Sequence, residues 1–282
     1  MAYFFNRHFP PKAEQIDHSA GHIGMNPRIQ PFLNTLSVLY VLFINYFSQA
    51  FGVNGNTVGS LSRKYDNLFT PASFAFAIWG IIFLLLIAYV VYEWISIRKR
   101  TETQRCISPW FLLANAMNGL WVIVWLYEWT AVSVLVMSVM LFALLKCLLY
   151  LKSGGWGESL FQNLPIAVYT GWISVAIIAN SAAFLSKLGW TGAPLTEAGW
   201  AIAMIGIAVL VNLFVLVTTH RGAYVLVGVW ALFAIEARQA VAHPEIAQLA
   251  GAGYWLLLAA WVIHTIWSLK TRGLKIKTVP VS

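Results

Sequence analysis

The fold class is decided by residues 71–94, which read PASFAFAIWGIIFLLLIAYVVYEW. A helix needs roughly 20 predominantly apolar residues to cross a bilayer, because the hydrocarbon core is about 30 Å thick and each residue rises 1.5 Å. This stretch meets that length. Its apolar positions run continuously and do not alternate, so a transmembrane β-strand is excluded. The stretch therefore predicts a transmembrane helix.

The rest of the chain repeats this pattern. The 282 residues are 60% hydrophobic and 10% charged, whereas soluble domains are about 45–50% apolar and about 25% charged. This composition excludes a water-soluble globular protein, a disordered chain and a nucleic-acid-binding domain. We predict an all-α, polytopic membrane helix bundle. Eight runs are predicted as transmembrane helices: 32–53, 71–94, 109–127, 130–151, 159–186, 198–220, 222–239 and 246–270.

The basic residues of the loops favour all eight spans. With eight, 14 of the 18 Lys and Arg residues lie on the side of the two termini and four on the other. Without the weakest run, 222–239, the division would be 10 and 8. Cytoplasmic loops carry the excess of Lys and Arg. We therefore predict an integral protein of the cell inner membrane with both termini in the cytoplasm, and we attribute the net charge of +8 to its loops and not to a nucleic-acid partner.

The order of spans and loops predicts four segments. They are an N-terminal cytoplasmic tail (1–31), a five-helix membrane domain (32–187), a three-helix membrane extension (188–270) and a basic cytoplasmic tail (271–282). The boundary between the two membrane parts falls in a loop, 188–197, that contains two glycines and a proline.

Of the 14 tryptophans, six lie at helix ends and fit the aromatic belt of a membrane interface: Trp94, Trp110, Trp129, Trp156, Trp190 and Trp200. Five lie inside predicted helices, where an indole either faces lipid or lines a cavity: Trp79, Trp121, Trp172, Trp230 and Trp261. Stacked rings would give a flat, mostly apolar ligand a large wall of fixed geometry.

Polar residues within the spans are few. Four asparagines lie in apolar runs: Asn45, Asn118, Asn180 and Asn212. An unpaired amide in hydrocarbon is costly, so each should point into the bundle, where it bonds to a neighbouring helix or donates to a ligand. The ionisable residues lie near span ends, where a structural role competes with a role in transport: Glu236, Arg238 and His264.

The sequence favours a non-enzymatic role and leaves enzymatic activity open. Metalloprotease, phosphate-loop and nucleophile-elbow signatures are absent from the sequence. The histidines of the N-terminal tail, His8, His18 and His22, are better explained by a solvated tail than by a metal site. We therefore predict no metal and no certain cofactor.

Three segments of the chain carry aromatic and polar residues at characteristic spacings: Tyr65, Leu68, Pro71 and Trp79; Asn118, Leu120 and Trp121; and Tyr169, Trp172, Ala176 and Asn180. Together they resemble the TspO/MBR family, the tryptophan-rich sensory or translocator proteins that are also called peripheral benzodiazepine receptors. The first segment matches the family loop Tyr-x-x-Leu-x-Lys-Pro and a following Trp. The second matches its Asn-x-Leu-Trp, and the third its Tyr-x-x-Trp with later Ala and Asn. The resemblance covers about residues 32–187 and leaves a C-terminal extension.

The resemblance implies five helices around a pocket that opens towards the loop between the first two spans. It also implies binding of porphyrins such as protoporphyrin IX, and in some family members of sterols or synthetic aromatic compounds. Porphyrin transport, sensing and light-dependent breakdown are the activities proposed for the family. This sequence lacks the tryptophan of the family loop, so breakdown is the activity least supported here.

Our first hypothesis is therefore a membrane binding or sensor protein for a flat apolar ligand of the tetrapyrrole class, which it could also move within or across the membrane. The alternatives are a small-molecule transporter, or an accessory subunit that binds pigment or lipid in a membrane complex. Its partners would be the bilayer, a small hydrophobic ligand, and either a second copy or other subunits. The predicted ligand-binding residues are Trp79, Phe76, Asn118, Trp121, Tyr169, Trp172, Asn180, Arg63 and Lys64.

Overall fold

A computed structural model describes residues 29–96, 102–152 and 154–277, without the side chains of 102, 103, 105, 106 and 272–277. The tail histidines lie outside the described residues. The helices are α1 (Gln30–Ala50), α2 (Val58–Lys64), α3 (Ile78–Ile95), α4 (Glu102–Leu126), α5 (Thr130–Tyr150), α6 (Trp156–Glu158), α7 (Leu164–Lys187), α8 (Glu197–Thr219), α9 (Gly222–Gln239) and α10 (Pro244–Lys277). A 3₁₀ turn (Ser73–Ala77) leads into α3, and a π turn (Ser159–Asn163) leads into α7.

The predicted polytopic helix bundle is confirmed. Within the described residues, seven helical segments are long and apolar enough to cross a membrane, and α9 is the predicted span that falls short of that composition. Nevertheless α9 runs the full length of the bundle. At its start, Arg221 Nη2 donates to the Leu151 carbonyl at the end of α5 (2.8 Å). At its other end, Arg238 pairs with Asp66 in the loop after α2.

Helix α9 is less apolar than its neighbours because Glu236, Arg238 and Gln239 fall in its last turn. It packs against α7 on one side and against α8 and α10 on the other. Half of its residues are buried in these contacts. The approach to α7 is close, because a Cβ at Gly171 would lie 3.0 Å from the Tyr224 carbonyl oxygen. The predicted division into five-helix and three-helix domains stays a prediction, as does the cytoplasmic side of the termini.

Several helix boundaries differ from the sequence prediction, and α10 continues to Lys277, beyond the predicted end at residue 270. The first span ends at Ala50, before residue 53, because Gly52 has a φ of +69° and starts a tight turn. The third begins at Glu102, not at Pro109, and the proline lies inside α4. Tertiary hydrogen bonds hold the additional turns, since Gln30 Nε2 of α1 donates to the Gln104 carbonyl (3.2 Å).

The loop between α1 and α3 contains a short helix that the sequence analysis did not anticipate. Helix α2 begins with a capping box, in which the side chains of Thr57 and Ser60 each accept from the other residue's backbone N–H. We call the end of the bundle that carries this helix the α2 end. Helix α7 lies at the centre of the bundle, in contact with α3, α5 and α9. The α2 end of these helices encloses the candidate site.

Candidate ligand pocket

A chamber lies beneath α2 among helices α3, α4, α5 and α7. Its walls are mainly aromatic and small apolar side chains, and it leaves about 60 Å³ of free volume. It is lined by Val58, Ser62, Tyr65, Asn67, Thr70, Pro71, Phe76, Trp79, Trp121, Trp125, Met137, Trp172, Val175, Ala176, Ala179, Asn180 and Ala183. Four indoles therefore face one small space.

The aromatic rings of the chamber form two units. The Trp79 and Trp172 rings meet at 84° with centroids 6.4 Å apart, and the Phe76 ring meets Trp172 at 83° and 6.1 Å. The Trp121 and Trp125 rings are nearly parallel, at 16° and 6.0 Å. Edge-to-face and offset parallel arrangements are the ones that aromatic quadrupoles prefer. The wall thus offers a right-angled corner and a flat face.

Hydrogen bonds fix the flat face. Trp121 Nε1 donates to Asn180 Oδ1 (3.4 Å), and Asn180 Nδ2 donates to Ser133 Oγ of α5 (3.0 Å). Trp125 Nε1 donates to the Val58 carbonyl at the start of α2 (3.4 Å). Buried polar groups that are bonded in this way hold side chains in one rotamer. The two indoles are consequently tied to three neighbouring helices.

A wider groove continues from the chamber towards α1 and α9, with about 640 Å³ of free volume. The two spaces share seven lining residues, namely Val58, Ser62, Thr70, Pro71, Phe76, Trp79 and Trp121. The groove is more polar than the chamber. Its lining includes two cations and one anion, Arg63, Arg238 and Asp66.

The turn between α4 and α5 holds α2 over the chamber. Glu128, which has a φ of +60°, accepts from Lys64 Nζ at both carboxylate oxygens (2.8 Å) and from the Tyr65 hydroxyl. Lys187 at the end of α7 donates to the Glu128 carbonyl. We call Lys64, Tyr65, Glu128 and Lys187 the Glu128 latch. Because Tyr65 lines the chamber, the latch fixes one wall of the site.

Family comparison agrees with this architecture. A family model described as TSPO-like protein matches residues 31–263 of the chain. This chain belongs to the TSPO-like protein family. The match extends from α1 into α10, so it includes the three C-terminal helices as well as the first five spans. No curated protein and no solved structure matches the chain. Membership and the apolar helices identify an integral membrane protein of a binding or transport type.

In this TSPO-like protein, five of the nine predicted ligand-binding residues line the chamber: Phe76, Trp79, Trp121, Trp172 and Asn180. The other four lie elsewhere. Arg63 lines the groove, while Lys64 belongs to the Glu128 latch. Tyr169 is fully buried behind Trp79, with ring centroids 6.2 Å apart. Asn118 accepts a hydrogen bond from Asn45 Nδ2 of α1 (2.9 Å).

Sequence reasoning missed three residues of the site. Trp125 follows Trp121 by four positions, so the helical period places both on one face and could have revealed it. Glu128 and Arg238 carry no such signal. They meet Tyr65 and Asp66 across 63 and 172 residues of chain, respectively.

We predict that the Glu128 latch makes stability depend on acid pH. The hydrogen bonds from Lys64 and Tyr65 hold the pKa of the Glu128 carboxyl below its ordinary value of 4.5. A lowered folded-state pKa gives stability that is present above the unfolded pKa and is lost as pH falls through the folded value. Thermal unfolding of the detergent-solubilised protein should therefore show a falling Tm below about pH 4.5. In Glu128→Gln the Tm should be lower at neutral pH and should depend less on acid pH; parallel curves for the two proteins would contradict the prediction.

Proposed function

We propose that this protein binds a flat, mostly apolar ligand of the tetrapyrrole class, such as a porphyrin, within the membrane. The observation that carries the proposal is a chamber walled by four indoles that continues into a wider groove lined by two arginines. The TSPO-like family match supports a binding or transport role, and the proposal adds the class of ligand.

The shape of the aromatic wall suits a planar molecule. A flat ligand that stacks on the Trp79 ring presents its edge to the Trp172 ring, because the rings of Trp79 and Trp172 are nearly perpendicular. Edge-to-face contact is a favourable arrangement for aromatic rings. A flexible acyl chain would gain no comparable advantage from such a corner.

The free volumes indicate where the ligand would lie. Pockets for small organic ligands measure about 300–1,000 Å³, so the chamber alone, with about 60 Å³, holds only the edge of such a molecule. The groove, with about 640 Å³, has the required size. We propose that most of the ring system occupies the groove and that one edge enters the chamber.

Two polar donors near the site have no partner that the structure describes. Trp172 Nε1 is buried and has no hydrogen-bond partner within the described part of the chain, although buried donors are rarely left unpaired. Arg63 lines the groove and forms no ion pair among the described residues. An acceptor at the ring edge and a carboxylate on a side arm would satisfy these donors.

Titration with protoporphyrin IX tests the proposal. The protein in detergent should shift the main porphyrin absorption band, and the shift should saturate at about one porphyrin per chain, as expected if the chamber and groove together form one binding site. Detergent micelles alone and the heat-unfolded protein are the controls. A spectrum that changes without saturation, as in micelles alone, would overturn the proposal. Movement of porphyrin across a vesicle membrane is a separate property on which this titration does not depend.

A further inference from the structure

Helix α9 contributes directly to the groove. Ala237 and Arg238, from its last turn, lie among the groove residues together with Arg63 of α2 and Asp66 of the following loop. The five-helix part therefore does not complete the site by itself. One of the two groove arginines comes from the C-terminal helices.

Hydrogen bonds to backbone carbonyls hold α9 in this position. The Ala72 N–H donates to the Ala234 carbonyl (2.9 Å), and Trp230 Nε1 donates to the Ala75 carbonyl (3.1 Å). Gln239 Nε2 donates to the Leu68 carbonyl (3.0 Å). These three contacts attach the segment before α3 to residues 230–239 of α9. Arg238 lies within this attached region, so its backbone has a fixed place beside the groove.

The charges of the groove are unbalanced. Its described lining holds two arginines and a single acid, Asp66, with which Arg238 pairs. The side chains of this pair are 47% and 40% exposed. Exposed ion pairs contribute little to stability, because water screens the attraction and two side chains must be ordered. The free energy lost when Arg238 leaves Asp66 for the carboxylate of a ligand is therefore small.

We infer that Arg238 of α9 determines specificity in the groove. A ligand carboxylate takes the place of Asp66 on Arg238, and Arg63 binds a second carboxylate of the same ligand. Asp66 thus neutralises Arg238 in the empty site and competes with the ligand for it. This inference rests on the proposed function, because a ligand must occupy the groove before its carboxylates can be recognised.

The test compares two probes, protoporphyrin IX and its dimethyl ester, which share the ring but differ in charge. Charge-assisted hydrogen bonds are strong enough that Arg238→Gln should weaken diacid binding about tenfold. Asp66→Asn removes the competitor and should strengthen diacid binding about threefold or more. Arg238→Lys should keep part of the affinity. The diester should bind all these variants as it binds the unmodified protein.

Arg238→Gln and Asp66→Asn should change the affinity for the diacid in opposite directions, and this difference separates ligand recognition from a structural role. If the ion pair only stabilised the fold, both substitutions would weaken both probes, and that result would overturn the inference. Lys270→Gln is the matched control, because it removes an exposed cation of α10 that lines neither the chamber nor the groove; it should leave the ratio of diacid to diester affinity unchanged. If each variant changed the affinity for the diacid and the diester by the same factor, this inference would be wrong and the proposed function would stand. Failure of both probes to bind the unmodified protein would sink the proposed function with it.

Discussion

Replacement of both Trp79 and Trp172 by alanine is expected to weaken protoporphyrin IX binding about 100-fold. The two rings form the corner of the chamber, with centroids 6.4 Å apart. Stacking of a flat ring on an aromatic side chain contributes about 1–3 kcal/mol, so the loss of two walls amounts to about 3 kcal/mol. The measurement is the absorbance titration described above.

The control for this double variant uses two tryptophans of α10. Trp255 and Trp267 are 61% and 57% exposed and lie outside the chamber and groove. Their double replacement by alanine removes the same side chains from the protein and should leave porphyrin affinity within about twofold, as expected for independent sites. Since Trp172 is itself buried, the Trp79→Phe, Trp172→Phe variant provides a second check, because it keeps the aromatic faces. Unchanged affinity in the alanine variant would remove both residues from the site.

Replacement of Gly171 by leucine is expected to lower the free energy of unfolding by about 3 kcal/mol or more, and by alanine about 1 kcal/mol. A Cβ at this position of α7 would lie 3.0 Å from the Tyr224 carbonyl oxygen and 3.1 Å from Val227 Cβ, both in α9. The carbonyl belongs to the backbone and cannot rotate away, so a larger side chain must separate the helices. Small residues permit such close packing of membrane helices. Denaturant or thermal unfolding in detergent measures the effect.

Gly80 provides the matched control within a membrane helix. A Cβ at Gly80 of α3 would meet nothing within 4 Å, so Gly80→Leu should change the free energy of unfolding by less than about 0.5 kcal/mol. In Gly171→Ala, α9 is displaced and Arg238 moves with it, so the ratio of diacid to diester affinity should also fall. Equal stability of the Gly171 and Gly80 variants would show that α9 does not depend on this contact.

The position of a residue within an apolar run carries local information, and this information led to the indoles of the chamber. Trp79, Trp121 and Trp172 were selected as indoles within apolar runs, and all three line the chamber. Their role in ligand binding stays a prediction. Tyr169 was predicted from the family resemblance and Asn118 also as an amide within an apolar run; Tyr169 lies against Trp79, and Asn118 bonds to Asn45 of α1. Residue type and spacing do not distinguish the cavity face of a helix from a face packed on its neighbour.

By itself, the sequence determined that this chain is a polytopic helix bundle, because the bilayer fixes the length and apolarity of each span, and these can be read along the chain. It also determined which helices carry indoles. Only the tertiary structure decided that α9 packs between α7 and the pair of α8 and α10, that Glu128 holds α2 over the chamber and that Arg238 lines the groove. These contacts join residues far apart in the chain, and their energies depend on how the helices rotate and approach one another, which no local pattern of residues specifies.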